Sequence, residues 1–255
     1  MNAKERQDRI LEILEQQGYV TVKYLVDALQ YSSATVNRDL NALEERQLLT
    51  RSYGGAELVR SSYVPIPFRS HKMRAEKQHI GRAAASFVQD GDTLFIDGST
   101  TAQCMAQHLL HRKDLTVITN NMMLAVDLAS HSIRVICLGG TVVEAPSMLC
   151  GIETVENAAR YRVDKMFFAT KAATSEGLIA SGEYYDPMLK TIARNAREIF
   201  YLVDHKKIDQ PFSELYGDFG CVHCVISDCD FPTATKDRFP KTTFITAGDG
   251  AKEHL

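Results

Sequence analysis

The sequence predicts an α/β protein in two parts, a small helical unit carrying a hairpin and a larger domain built on a mainly parallel sheet. Three observations predict it. Apolar residues recur at helical spacing near the start, a Gly54-Gly55 pair then separates two short segments of strand character, and from Thr93 onward short apolar runs alternate with helix-length stretches. A chain of 255 residues has room for one small and one medium domain, each with its own core.

In the first part, Arg6, Ile10, Ile13 and Leu14 mark an amphipathic helix, and Val22, Leu25, Val26 and Leu29 mark a second. Val36, Leu40 and Leu43 fall at i, i+4 and i+7 of a third, with Ser32 or Ser33 as its N-cap. Opposite that stripe lie Ala34, Asn37, Arg38 and Asn41, short hydrogen-bonding or cationic side chains suited to a major groove. A polar helix face is usually only solvated, so the flanks decide. Leu48-Leu49-Thr50-Arg51 and Ala56-Glu57-Leu58-Val59, around Ser52-Tyr53-Gly54-Gly55, read as a hairpin or wing. Three helices and a wing make a winged helix-turn-helix. The expected readers of double-stranded DNA are Ser33, Ala34, Thr35, Asn37, Arg38 and Asn41 on the helix, with Arg51 and Tyr53 on the wing.

The formal net charge of -3 offers no global basic field. Local cations must serve instead: Arg38, Arg46 and Arg51 as phosphate contacts, with Lys4, Arg6 and Lys23 assisting, against the opposing charges of Glu44 and Glu45. Affinity then calls for a homo-oligomer on repeated half-sites.

Here the chain resembles the DeoR family of bacterial transcriptional regulators, whose signature has an early Arg, spaced aliphatic residues and a Thr-aliphatic-Arg-Arg-Asp-Leu core. Thr35-Val36-Asn37-Arg38-Asp39-Leu40 matches that core, with Asn37 where the family usually has Arg or His, and the Gly54-Gly55 wing matches too. The resemblance implies a repressor acting on operator DNA, followed by an effector domain with a fold similar to ribose-5-phosphate isomerase.

Ser61-Ser62 and Pro65-Ile66-Pro67 resist regular structure. The expected organisation is therefore a DNA-binding domain over 1–59, a linker and the start of a connecting helix over 60–75, and an α/β domain over 76–250. Phe68-Arg69, Glu76-Lys77, Ile80, Ala83, Ala84 and Phe87 suggest the helix that opens the second domain. The expected strands are Thr93 to Ile96, Leu115 to Thr119, Ile133 to Leu138, Lys165 to Thr170, Ile199 to Val203, Val222 to Ser227 and Thr242 to Thr246. No leader pattern and no membrane-length apolar run occurs, which predicts a soluble cytoplasmic protein without a membrane partner. Cys104, Cys137 and Cys150 are dispersed, and Cys221, Cys224 and Cys229 with His223 raise a zinc reading. Cys224-Val225-Ile226-Ser227-Asp228 reads better as a strand that separates the thiols, so neither metal nor cofactor is expected.

Ligands of parallel sheets gather where strands end and loops begin. The strongest such end is Asp97-Gly98-Ser99-Thr100-Thr101, before a helix expected from about Ala102 to Leu110. Gly98 permits a tight turn. Backbone N–H groups, three hydroxyls and the positive end of the helix together suit a phosphate. The plainer alternative is an N-cap with extra hydroxyls. The segment resembles the DeoR effector loop Asp-x-Gly-Thr-Thr, which implies a phosphorylated sugar or similar metabolite as effector. Thr119 and Asn120 offer hydrogen bonds to sugar hydroxyls, Gly139 and Gly140 close backbone approach, and Lys207 a cation at the family's Asp-x-x-Lys position, with Ile208 in place of the usual aromatic residue. Lys171 adds a charge where the family has a Gly-rich strand end, and Tyr185, flanked by Glu183 and Asp186, replaces a usual acid. The competing readings are a sugar-phosphate isomerase with a DNA-binding appendage, which lacks a second supported acid/base beside Asp97 and Lys207, and an oligomerisation scaffold without ligand.

Overall fold

The computed structural model describes residues 2–17, 19–46, 48–52, 54–58, 73–144, 148–181 and 186–248. The expected linker lies outside these up to position 72, as do Tyr53, Val59, Glu183 and Tyr185. Contacts divide the chain into two units, Met1–Lys72 and Met73–Leu255.

The first unit runs α1 (Ala3–Gln17), β1 (Tyr19–Thr21), α2 (Val22–Leu29), α3 (Ser33–Glu45), β2 (Leu49–Ser52) and β3 (Gly55–Leu58). The expected stripes meet in one core, where Ile10, Leu14, Leu25, Val36, Leu40 and Leu43 are fully buried. Ser32 is the N-cap of α3, its hydroxyl accepting the Thr35 N–H at 3.2 Å. The strands form one antiparallel sheet in the order β1-β3-β2. Both glycines of the wing are required. Gly54 holds φ +75°, and a Cβ on Gly55 would stand 2.3 Å from the Val20 carbonyl of β1.

Arg6 is not the phosphate contact the sequence suggested. Its guanidinium grips Asp39 of α3, Nε to Oδ2 at 2.5 Å and Nη2 to Oδ1 at 3.2 Å, and lies 4.6 Å from the centre of the Tyr31 ring. Both partners are buried, and the Asp39 hydrogen bond raises the guanidinium's pKa further. Arg6 falls on the same stripe as Ile10 and Leu14, which is why it points inward.

The second unit opens with α4 (Arg74–Ser86) and carries a seven-stranded sheet of β4 (Thr93–Ile96), β5 (Thr116–Thr119), β6 (Arg134–Cys137), β9 (Val163–Phe168), β11 (Ala196–Val203), β13 (Cys224–Ser227) and β14 (Thr243–Thr246). Every pairing within it is parallel. Alternate residues feed opposite cores: Leu94, Ile96, Phe167, Phe200 and Leu202 pack toward α4, while Phe95, Met166, Phe168, Tyr201 and Val203 face the other layer. Burial on both faces is why Leu94-Phe95-Ile96, Met166-Phe167-Phe168 and Ile199-Phe200-Tyr201-Leu202-Val203 are unbroken apolar runs. Two short antiparallel pairs were not expected, β7 (Thr141–Glu144) with β8 (Met148–Cys150), and β10 (Leu178–Ala180) with β12 (Leu215–Asp218).

The sheet order is β14-β13-β11-β9-β4-β5-β6. The chain therefore builds outward from β4 to β6, then returns to the opposite side of β4 with β9. The reversal lies between β4 and β9, the place where doubly wound sheets open a crevice beyond their carboxyl ends.

Candidate functional site

Asp97 follows β4 at that crevice and is 1% exposed. Its backbone N–H donates to the Phe167 carbonyl at 3.0 Å, and its Oδ2 accepts the Ala169 N–H at 3.2 Å, so one residue ties the two diverging strands together. Oδ1 accepts the Ser99 N–H at 3.1 Å and the Ser99 hydroxyl at 2.5 Å. Burial pushes this carboxyl up to about 6, against the opposing pull of those hydrogen bonds and of Lys207.

The expected helix after the loop is broken into α5 (Thr100–Gln103) and α6 (Ala106–Leu109). A Cβ on Gly81 of α4 would lie 2.7 Å from the Cys104 backbone, so α4 crosses closely at the interruption. A helix this short has a weak macrodipole. Lysines supply the positive charge instead. Buried Lys77 of α4 donates from Nζ to Thr100 Oγ1 at 3.1 Å, and Lys207 reaches Thr101 Oγ1 at 3.5 Å while standing 3.7 Å from Asp204. Hydroxyls that accept from lysines keep their own protons for an anion. Lys77 was absent from the expected site, yet it carried a signal: with Ile80 and Ala84 it lies on the buried stripe of its helix, where an unassigned lysine needs a purpose.

The other expected ligands divide. Asn120 is fully buried beside the loop, its Nδ2 donating to the Leu149 carbonyl at 3.0 Å and standing 3.5 Å from where a Gly98 Cβ would be. Its Oδ1 has no hydrogen-bond partner among the described residues. Thr119 turns to its own loop, accepting the Asn121 N–H at 3.0 Å. Gly139 and Gly140 hold positive φ, but a Cβ on Gly140 would meet Thr154 Oγ1 at 2.1 Å and the Cys150 carbonyl at 2.6 Å. The close approach that Gly140 permits is thus to its own chain. Lys171 is exposed on the loop after β9.

On α3 the residues Ser33, Ala34, Arg38 and Asn41 are exposed, and Thr35 and Asn37 are half-buried. Arg51 of β2 is half-buried and joins them: its Nη2 donates to Asn37 Oδ1 and its Nη1 to Asn41 Oδ1, each at 2.5 Å. Asn37 Nδ2 in turn donates to the Ser33 carbonyl at 2.8 Å.

Among the described residues no group of three or more metal-binding side chains assembles. Cys224 is buried in β13 and its thiol is pushed up to about 12 by burial, while Cys221 is exposed. A cavity of about 360 Å³ lies at the opposite, amino-terminal ends of β9 and β11, lined by Arg162, Arg194 and Arg197. These arginines extend into solvent and form no buried anion cradle. No helix of the described residues is long and apolar enough to cross a membrane.

A DeoR-like helix-turn-helix domain model matches residues 6–62, and a model for the DeoR C terminal sensor domain matches residues 72–229. The Glycerol-3-phosphate regulon repressor of Escherichia coli (strain K12) is 32% identical over 92% of this chain and 94% of its own length. The Lactose phosphotransferase system repressor of Lactococcus lactis subsp. lactis is 32% identical over 98% of this chain and 100% of its own. The HTH-type transcriptional repressor GlcR of Bacillus subtilis (strain 168) is 32% identical over 89% of each chain. Ribose 5-phosphate isomerase A of Methanocaldococcus jannaschii superposes with a TM-score of 0.40 at 17% identity, covering 54% of this chain and 55% of that one, a likeness too distant to carry an argument.

Proposed function

The chain belongs to the DeoR family of helix-turn-helix transcriptional regulators, and from that premise we propose that it represses carbohydrate-metabolism genes under the control of a phosphorylated sugar or related metabolite. Residues 1–59 are the DNA-binding domain and 76–250 the effector and oligomerisation domain. Ser33, Ala34, Thr35, Asn37, Arg38 and Asn41 face operator DNA, with Arg51 and Tyr53 on the wing. The relatives' names support repression, and two of them concern glycerol 3-phosphate and a phosphotransferase system. Because two relatives of equal identity are named for different systems, glycerol 3-phosphate and lactose, no single effector carries over.

One observation carries the effector reading. Lys77 and Lys207, from elements far apart in sequence, converge on the hydroxyls of Thr100 and Thr101 at the strand reversal. Asp97, Gly98 and Ser99 shape that loop, Asn120 lies beside it, and Lys171 at the β9 end adds charge at the rim. The isomerase reading fares worse because Asp97 is engaged by Ser99 and Ala169 on both oxygens rather than poised beside an open space.

Thermal melting of the full chain with a panel of sugar phosphates and their unphosphorylated counterparts tests this. At a hundredfold excess over Kd, a true effector stabilises by about 2.7 kcal/mol. The expected result is stabilisation by phosphorylated members alone, lost in Lys77→Met and in Thr100→Phe, with both variants still folded and still binding DNA. Equal stabilisation by both members of a pair, or chemical turnover of the phosphorylated one, overturns the reading.

A further inference from the structure

Arg51 is bonded to α3 in a way that changes what the reading face presents. Asn37 and Asn41 lie one turn apart on the same side of the helix. Each gives its carbonyl to the Arg51 guanidinium, and the Asn37 amide nitrogen is spent on the Ser33 carbonyl and hydroxyl. The Arg51 backbone is fixed as well, its N–H donating to Glu44 Oε1 at 2.9 Å near the end of α3. Main chain and side chain of one wing residue are therefore both anchored to the helix.

An asparagine reads adenine by accepting from N6 and donating to N7, which takes a carbonyl and an amide of the same side chain. In this arrangement both carbonyls are already engaged. What remains toward a groove is rich in donors: the unspent N–H groups of Arg51 and the Asn41 amide nitrogen. Guanine O6 and N7 are the paired acceptors that such a face complements, and an arginine held by side-chain acceptors loses little freedom on meeting them.

We infer that Arg51, clamped by Asn37 and Asn41, is a specificity-determining residue that selects guanine in the major groove, and that the two asparagines act as its positioning residues rather than as adenine readers. This rests on α3 being the reading helix. It separates Arg51 from Arg38, which is exposed on that helix and remains a phosphate contact.

The test uses the full-length chain and selection from a randomised duplex library, followed by salt titration on one fixed non-selected duplex. The wild-type motif should contain a G·C pair whose guanine preference falls about tenfold or more in Arg51→Ala. Asn37→Ala and Asn41→Ala should loosen the same position, and combining either with Arg51→Ala should add nothing further. Arg51→Lys should keep its melting temperature but not the guanine preference, because an ammonium lacks the planar fork. An unchanged motif with an even loss of affinity, and a log–log salt slope reduced by about 0.9, would make Arg51 a phosphate contact and overturn the inference. Adenine at the affected position would overturn it in favour of direct asparagine reading. If Ala34→Leu and Arg38→Ala also leave motif and affinity at wild-type values, the fault lies in the reading helix itself.

Discussion

Asp39→Ala will destabilise the DNA-binding unit by about 3 kcal/mol and abolish DNA binding without disturbing the effector domain. Removing one partner of a buried ion pair leaves the other charged and unsatisfied, an effect of about 3–5 kcal/mol. The lower end applies because Arg6 retains 9% exposure and the face of the Tyr31 ring. The small unit has a core drawn from three short helices and a three-stranded sheet, so a loss of this size is a large share of its stability. Hydrogen exchange on the full chain checks it: amides of α1 and α3 should lose protection while those of β4 and β9 keep theirs. Replacing both partners, Arg6→Met with Asp39→Leu, should recover most of the loss, since two apolar side chains need no pairing. If the single variant keeps full protection in α1, the pair is not what holds α1 to α3.

This pair also shows where sequence reasoning reached its limit. Arg6 and Asp39 each stand on a buried stripe, beside Ile10 and Leu14 in one helix and Val36 and Leu40 in the other, but opposite charges on separate helices announce no partner until the helices pack. The central parallel strands were legible because burial on both faces leaves continuous apolar runs, and the edge strands β6 and β14, exposed at both ends, only through the short pairs Val135-Ile136 and Phe244-Ile245. β1, with the exposed–buried–exposed Tyr19-Val20-Thr21, was not, because three residues carry too little pattern to distinguish a strand from a loop. The same holds for β7, whose Val142 and Val143 are exposed. The loop from Asp97 to Thr101 was legible as a strand-end turn that caps the next helix, Ser99 Oγ accepting the Ala102 N–H at 3.1 Å, whereas the lysines beside it were only half visible. Lys207 follows a strand and could be placed at the sheet edge, but Lys77 arrives from a helix that precedes the sheet. The clamp on Arg51 joins residues 10 and 14 positions apart through strand and helix, a contact that no periodicity encodes.

A carboxyl that tightens the strand reversal should make stability depend on pH in an unusual direction. Asp97 is held at about 6 by burial, above the value of about 3.9 expected in the unfolded chain. Between those values the folded state binds the proton that the unfolded state has released, so stability is greatest at low pH and falls as pH rises toward 6, then levels. The magnitude is on the order of 3 kcal/mol. Ordinary paired carboxylates change stability in the opposite sense, so the comparison must be between wild type and Asp97→Asn, which share every other group. Calorimetric melting from pH 4 to 7.5 should show the variant gaining on wild type by about that amount up to pH 6.5 and holding constant above it. A constant difference across the range would mean that the carboxyl titrates normally. The amide can accept through only one oxygen, so it must turn an N–H group toward Ser99 or Ala169 and loosen one end of the bridge. Wild type and variant should therefore part in a second way, with Asp97→Asn losing most of the stabilisation by phosphorylated effectors at pH 7.5, where its own folding has nothing left to lose from the charge.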